Sequence, residues 1–112
     1  MATSTIMSDK FTSETLISGA TLIRYGNMRI LRLGGYRLDS GAITIPVNDR
    51  PIADVAGYGV RSNNGAYLCL CAVVVKTDGA LNTYAGGAYN TPSGWVNAGI
   101  TDTLDVDVIW WL

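Results

Sequence analysis

"YLCLCAVVVKTDGALNTY", residues 67–84, is the stretch that decides the fold. An apolar, β-branched run from Tyr67 to Lys76 meets Thr77-Asp78-Gly79, a tight-turn signal, and a second run, Ala80–Tyr84, follows directly. Two runs joined by so short a turn read as a β-hairpin. The longer run is apolar on both faces. Leu68, Leu70, Ala72 and Val74 share one face, and Tyr67, Cys69, Cys71, Val73 and Val75 share the other.

The same rhythm extends outward. Ser62-Asn63-Asn64-Gly65 is a second hairpin turn, with a strand over Asp54–Arg61 before it. Further back lie a segment over Glu14–Arg24 broken at Gly19, a turn at Gly26-Asn27, a strand over Met28–Leu33 stopped by Gly34-Gly35, and a short strand over Ala42–Ile45. Toward the C-terminus, Gly86–Gly94 reads as a loop, and Trp95–Ile100 and Leu104–Leu112 read as strands. About eight short strands and no helix predict an all-β fold, an antiparallel sandwich or barrel. In the last strand Leu104, Val106, Val108 and Trp110 share a face, while the opposite face changes from Asp105 and Asp107 to Ile109 and Trp111. A strand apolar on both faces is either covered on both sides or meets another subunit, so an oligomer is expected.

With 112 residues the chain is one domain. Residues 1–13 are small and polar and read as a flexible tail or linker, leaving 14–112 as the folded head. The net charge is −1, and Lys10 and Lys76 are the only lysines, so no basic face suits nucleic acid. The longest apolar run, Ala66–Val75, is too short for a membrane helix, and residues 1–10 lack a signal-peptide core. Cys69 and Cys71 stand two apart on one strand face, a spacing that disfavours a mutual disulfide and predicts two buried free thiols.

Catalysis finds little support. There is no histidine, so no Ser-His or Cys-His pair exists, and Asp39 and Asp78 stand in turns. Asp102, Asp105 and Asp107 form an acidic cluster without a calcium-loop pattern. Seven of the eight basic residues lie in residues 1–61, so these acids are expected to pair with arginines across the sheet. Neither a metal nor a cofactor is expected.

One further stretch bears on identity. Ile43–Val55, "ITIPVNDRPIADV", stops a strand at Pro46 and steps through Arg50-Pro51 before the chain resumes at Asp54. Together with the Asp78-Gly79 hairpin, the Trp95-Val96 strand and an aromatic last strand, it resembles the C-terminal head domains of bacteriophage tail-fibre and baseplate receptor-binding proteins, over about residues 20–112. Asn48-Asp49 stands where such domains often have a Gly-aromatic pair, and Trp110-Trp111-Leu112 replaces a lone aromatic. The resemblance implies a jelly-roll-like sandwich, a homotrimer attached at its N-terminus to the rest of a fibre or baseplate, a place in the virion tail after synthesis in the host cytoplasm, and a host cell-surface glycan as ligand. Pro46 and Pro51 are expected to carry the chain between two sheets, with Arg50 bonding backbone carbonyls or Asp54. For the ligand, Tyr84, Tyr89, Asn90 and Trp95 surround a glycine-rich loop, where aromatic faces stack on sugar rings and an amide bonds hydroxyls. The Asn63-Asn64 hairpin is a second exposed candidate.

Overall fold

A computed structural model describes residues 11–63, 67–85, 88–91, 94–97 and 102–112. Nine strands are described: β1 (Phe11–Ile17), β2 (Ala20–Tyr25), β3 (Met28–Arg37), β4 (Val55–Asn63), β5 (Tyr67–Val75), β6 (Leu81–Ala85), β7 (Ala88–Thr91), β8 (Gly94–Asn97) and β9 (Thr103–Trp111). Seven form one antiparallel sheet in the order β1-β2-β3-β9-β4-β5-β6, and β7 and β8 pair separately. The all-β reading is borne out, and the hairpin over residues 67–84 is β5–β6, with Val75 opposite Leu81.

Three local expectations need correction. Gly34-Gly35 does not end β3. The register shifts between Gly34 and Tyr36, and the strand continues through a bulge. Gly35 takes a φ of 64°, which a side chain disfavours, and its N–H is met by Asp105 Oδ1 at 2.9 Å. Residues 42–45 do not form a strand: Ile45 N donates to Gly79 O, a single contact to a turn rather than a ladder. The stretch 86–94 is not all loop, because β7 lies within it. In addition, β1 begins at Phe11, inside the expected tail. Met1–Lys10, Asn64, Gly86 and Gly87 lie outside the described residues.

The last strand enters the middle of the sheet, between β3 and β4. Gly57 and Gly59 permit this, since a Cβ at either position would collide with the Asp107 or Asp105 carbonyl oxygen of β9. The sheet's inner face is the core. Leu22, Leu31, Leu33, Val73, Val75, Leu104, Val106, Val108 and Trp110 are buried on it. The crossover of residues 38–54 covers this face with Ile43 and Ile45. Burying a side chain the size of Ile45 contributes about 1.5–3 kcal/mol.

Polar anchors pin the crossover. Tyr36 OH donates to Gly41 O at 2.5 Å, and Arg50 Nε donates to Ile45 O at 2.9 Å, the carbonyl alternative of the two expected for Arg50. Pro46 opens a short 3-10 turn, Val47–Asp49. That turn delivers Asp49 onto β2, β3 and β9. Its carboxylate accepts from Arg24 Nε at 3.0 Å and Arg29 Nε at 2.6 Å, and its carbonyl accepts from Trp110 Nε1 at 2.8 Å. Asp49 is 5% exposed. The Pro-bracketed step therefore covers part of one face of a single sheet and, rather than carrying the chain between two sheets, links β3 and β4 of the same one.

Candidate functional site

The sheet's second face has no covering layer among the described residues. Alternation along the strands sends every second side chain there. Tyr58 is 78% exposed, Leu70 83%, Tyr84 56% and Trp111 64%. Register groups these residues. Tyr58 stands opposite Ala72, and Ala72 opposite Tyr84, giving a row across β4, β5 and β6. Two interstrand steps separate the tyrosines, about 10 Å. Toward the other edge, Ile23, Ile30 and Ile109 form one row and Tyr25, Met28 and Trp111 another.

Between the two groups lies a shallow depression of about 450 Å³, lined by Arg32, Leu33, Gly34, Tyr58, Asp105, Val106 and Asp107. Arg32 and Asp107 face one another in the β3–β9 register and form a two-point ion pair, with Nε–Oδ1 at 3.1 Å. The bond to Asp107 raises the Arg32 pKa. Here one of the late acids pairs with an early arginine as expected, whereas Asp105 accepts from the Gly35 N–H instead. Asp102 pairs similarly with Arg61, at 2.9 Å. An exposed phenol ring beside charged donors and acceptors is an arrangement that stacks on a flat polar ligand and bonds its hydroxyls.

A larger hollow of about 560 Å³ opens on the inner side, lined by Tyr36, Leu38, Ile43 and Leu81 among others. Its one charged side chain, Asp39, is engaged by Arg37 at 2.7 Å, which holds its pKa below the usual range. Besides that pair and the side chains of Thr44 and Thr83, its walls are mainly apolar.

Of the residues singled out from sequence, Tyr84 lies on the outer face, its hydroxyl 3.3 Å from Asn82 Nδ2. Tyr89 and Asn90 stand on β7 and Trp95 on β8, with Asn90 opposite Trp95 and Tyr89 opposite Val96 in the register. Asn63 ends β4, and its hairpin partner Asn64 falls outside the described residues. Tyr58 escapes a reading of the sequence, although its place between Gly57 and Gly59 marks it as the one aromatic side chain of its segment. Cys69 and Cys71 are both free, Cys71 buried and Cys69 half-buried. Burial raises the Cys71 pKa, and the neighbouring Cys69 adds to it. Among the described residues no group of three or more His, Cys, Asp or Glu is placed to hold a metal ion, and no helix is long and apolar enough to cross a membrane. Comparison with protein-family models, curated proteins and solved structures finds no match.

Proposed function

We propose that the chain is the non-enzymatic receptor-binding head of a bacteriophage tail-fibre or baseplate protein, a homotrimer that recognises a host cell-surface saccharide. The observation that carries the reading is the bare outer face, where Tyr58 and Tyr84 stand exposed beside the Arg32–Asp107 pair. Solvent-facing aromatic rings with charged neighbours match the chemistry of a sugar, which has apolar ring faces and hydroxyl edges. The order of the Pro46/Arg50-Pro51 step, the Asp78-Gly79 hairpin and the aromatic last strand supplies the phage resemblance.

In this proposal the apolar rows through Ile30 and Ile109 and through Met28 and Trp111 form the subunit seam, and the sheet is one layer of a jelly-roll-like sandwich. An alternative, a trimerising cap without a ligand, is favoured by the exposure of Leu70, Ile109 and Trp111, since apolar surface of this kind marks contact with protein. Two measurements separate these readings. Sedimentation equilibrium is expected to give a trimer that Ile109→Glu breaks, and a stable wild-type monomer at micromolar concentration would refute the assembly. A glycan array is expected to show binding that Tyr58→Ala weakens, whereas a trimer that binds no glycan leaves the cap.

A further inference from the structure

We infer that the Tyr58–Ala72–Tyr84 row binds an extended, β-linked hexopyranose chain of the cellulose or chitin type, stacking on alternate sugar units. This rests on the saccharide reading above and deepens it. The row runs across the strands, because Tyr58, Ala72 and Tyr84 are direct register partners on β4, β5 and β6. Each step across an antiparallel sheet is about 4.8 Å. That step is close to the advance of one hexose unit in an extended β-linked chain. Tyr58 and Tyr84 therefore meet units one and three, while unit two lies over Ala72, whose methyl leaves room above it.

The chemistry of such a chain fits this spacing. Successive units are flipped by half a turn, so alternate units present the same ring face to the same side. Two rings two steps apart engage that repeated face, and the flipped middle unit needs no ring. The flanking polar groups lie at the ends of the row. Asn82 reaches the Tyr84 hydroxyl at 3.3 Å, and Arg32 with Asp107 lines the depression beside Tyr58. Strand twist adds a constraint. Two interstrand steps rotate the ring positions by about 40–50° relative to each other. The occupant must then turn about its linkages, as a single soluble chain does and a flat crystalline polysaccharide surface does not.

The test is titration calorimetry with soluble cello- and chito-oligosaccharides, from the monosaccharide to the hexasaccharide. In at least one series the trisaccharide is expected to bind about tenfold tighter than the disaccharide, the gain from engaging the second ring. Tyr58→Ala and Tyr84→Ala should each remove that gain, with unchanged melting temperature. Tyr58→Phe and Tyr84→Phe should keep it, since the stacking face remains. Thr83→Ala, on the opposite side of β6, serves as the control and should change nothing. Binding that does not strengthen beyond the monosaccharide, or trisaccharide binding indifferent to both alanine variants, overturns the inference. So does binding of other glycans on an array with no affinity for either series, which leaves the saccharide reading intact. Failure to bind any glycan on the array overturns both.

Discussion

The two faces of the seven-stranded sheet are built from alternate residues of the same strands, yet they meet different fates. On β9, Leu104, Val106, Val108 and Trp110 are buried, while Asp105, Asp107, Ile109 and Trp111 between them are exposed. The inner face is covered over much of its area by the crossover of residues 38–54, which the Asp49 ion pairs hold in place. The outer face carries its own ion pair, Arg32–Asp107, in the open. The pairs teach where a charge is structural. Asp49 and Arg29 are nearly dry, with side chains 7% and 11% exposed, so the bond between them, with those from Arg24 to Asp49 and from Arg29 to the Gly26 and Met28 carbonyls, replaces what water no longer supplies. Arg32 and Asp107 remain solvated, which leaves them available to a ligand.

That contrast is broken most directly at Asp49. Asp49→Ala leaves Arg24 and Arg29 facing an emptied site and should cost about 3–5 kcal/mol in chemical denaturation. A loss no larger than for surface substitutions would show that the crossover is not held by its charges. The pH dependence has a defined sign. The hydrogen bond from Arg24, and then that from Arg29, lowers the Asp49 pKa below its ordinary value. This stabilisation is fully present above the unfolded value, about pH 4, and is lost as pH falls through the folded value. Acid titration of the wild type and of Asp49→Asn should therefore converge in stability below that range.

A smaller loss is expected at Ile45, where the contact is apolar. Ile45→Ala removes a fully buried side chain between crossover and sheet and should cost about 2–4 kcal/mol, read by thermal or denaturant melting. Trp110→Phe keeps an aromatic ring but loses the pyrrole half of the buried indole together with its N–H bond to the Asp49 carbonyl, so about 1–3 kcal/mol is expected in the same assay. The smallest effect sharpens the comparison from the other side. Leu70→Ser, on the bare face, should shift the stability of the isolated chain by less than about 0.5 kcal/mol. A large loss there would mean that the outer face is covered.

Alternation and turn chemistry made much of the sheet legible. The hairpin at Asp78-Gly79 needed a turn that tolerates positive φ, and Gly79 has it, at 86°. Gly34-Gly35 misled, because a glycine pair permits a bulge as readily as a break, and the side chain that steadies this bulge, Asp105, is seventy residues away in sequence. Tyr84 was legible as an exposed aromatic near a glycine-rich turn. Its partner in the row was not, because Tyr58 meets it only through the pairing of β4 with β5 and of β5 with β6.

The sequence by itself determined the β class, the principal hairpins and the two-sided apolar strands, since these follow from local propensity and periodicity. Only the tertiary structure decided that β9 inserts between β3 and β4, that Asp49 is the buried anchor of the crossover, and that Tyr58 and Tyr84 share a row. Strand order and register are set by contacts distant in sequence, such as the close backbone approach that Gly57 and Gly59 allow, and periodicity along one strand carries no information about which strand lies beside it.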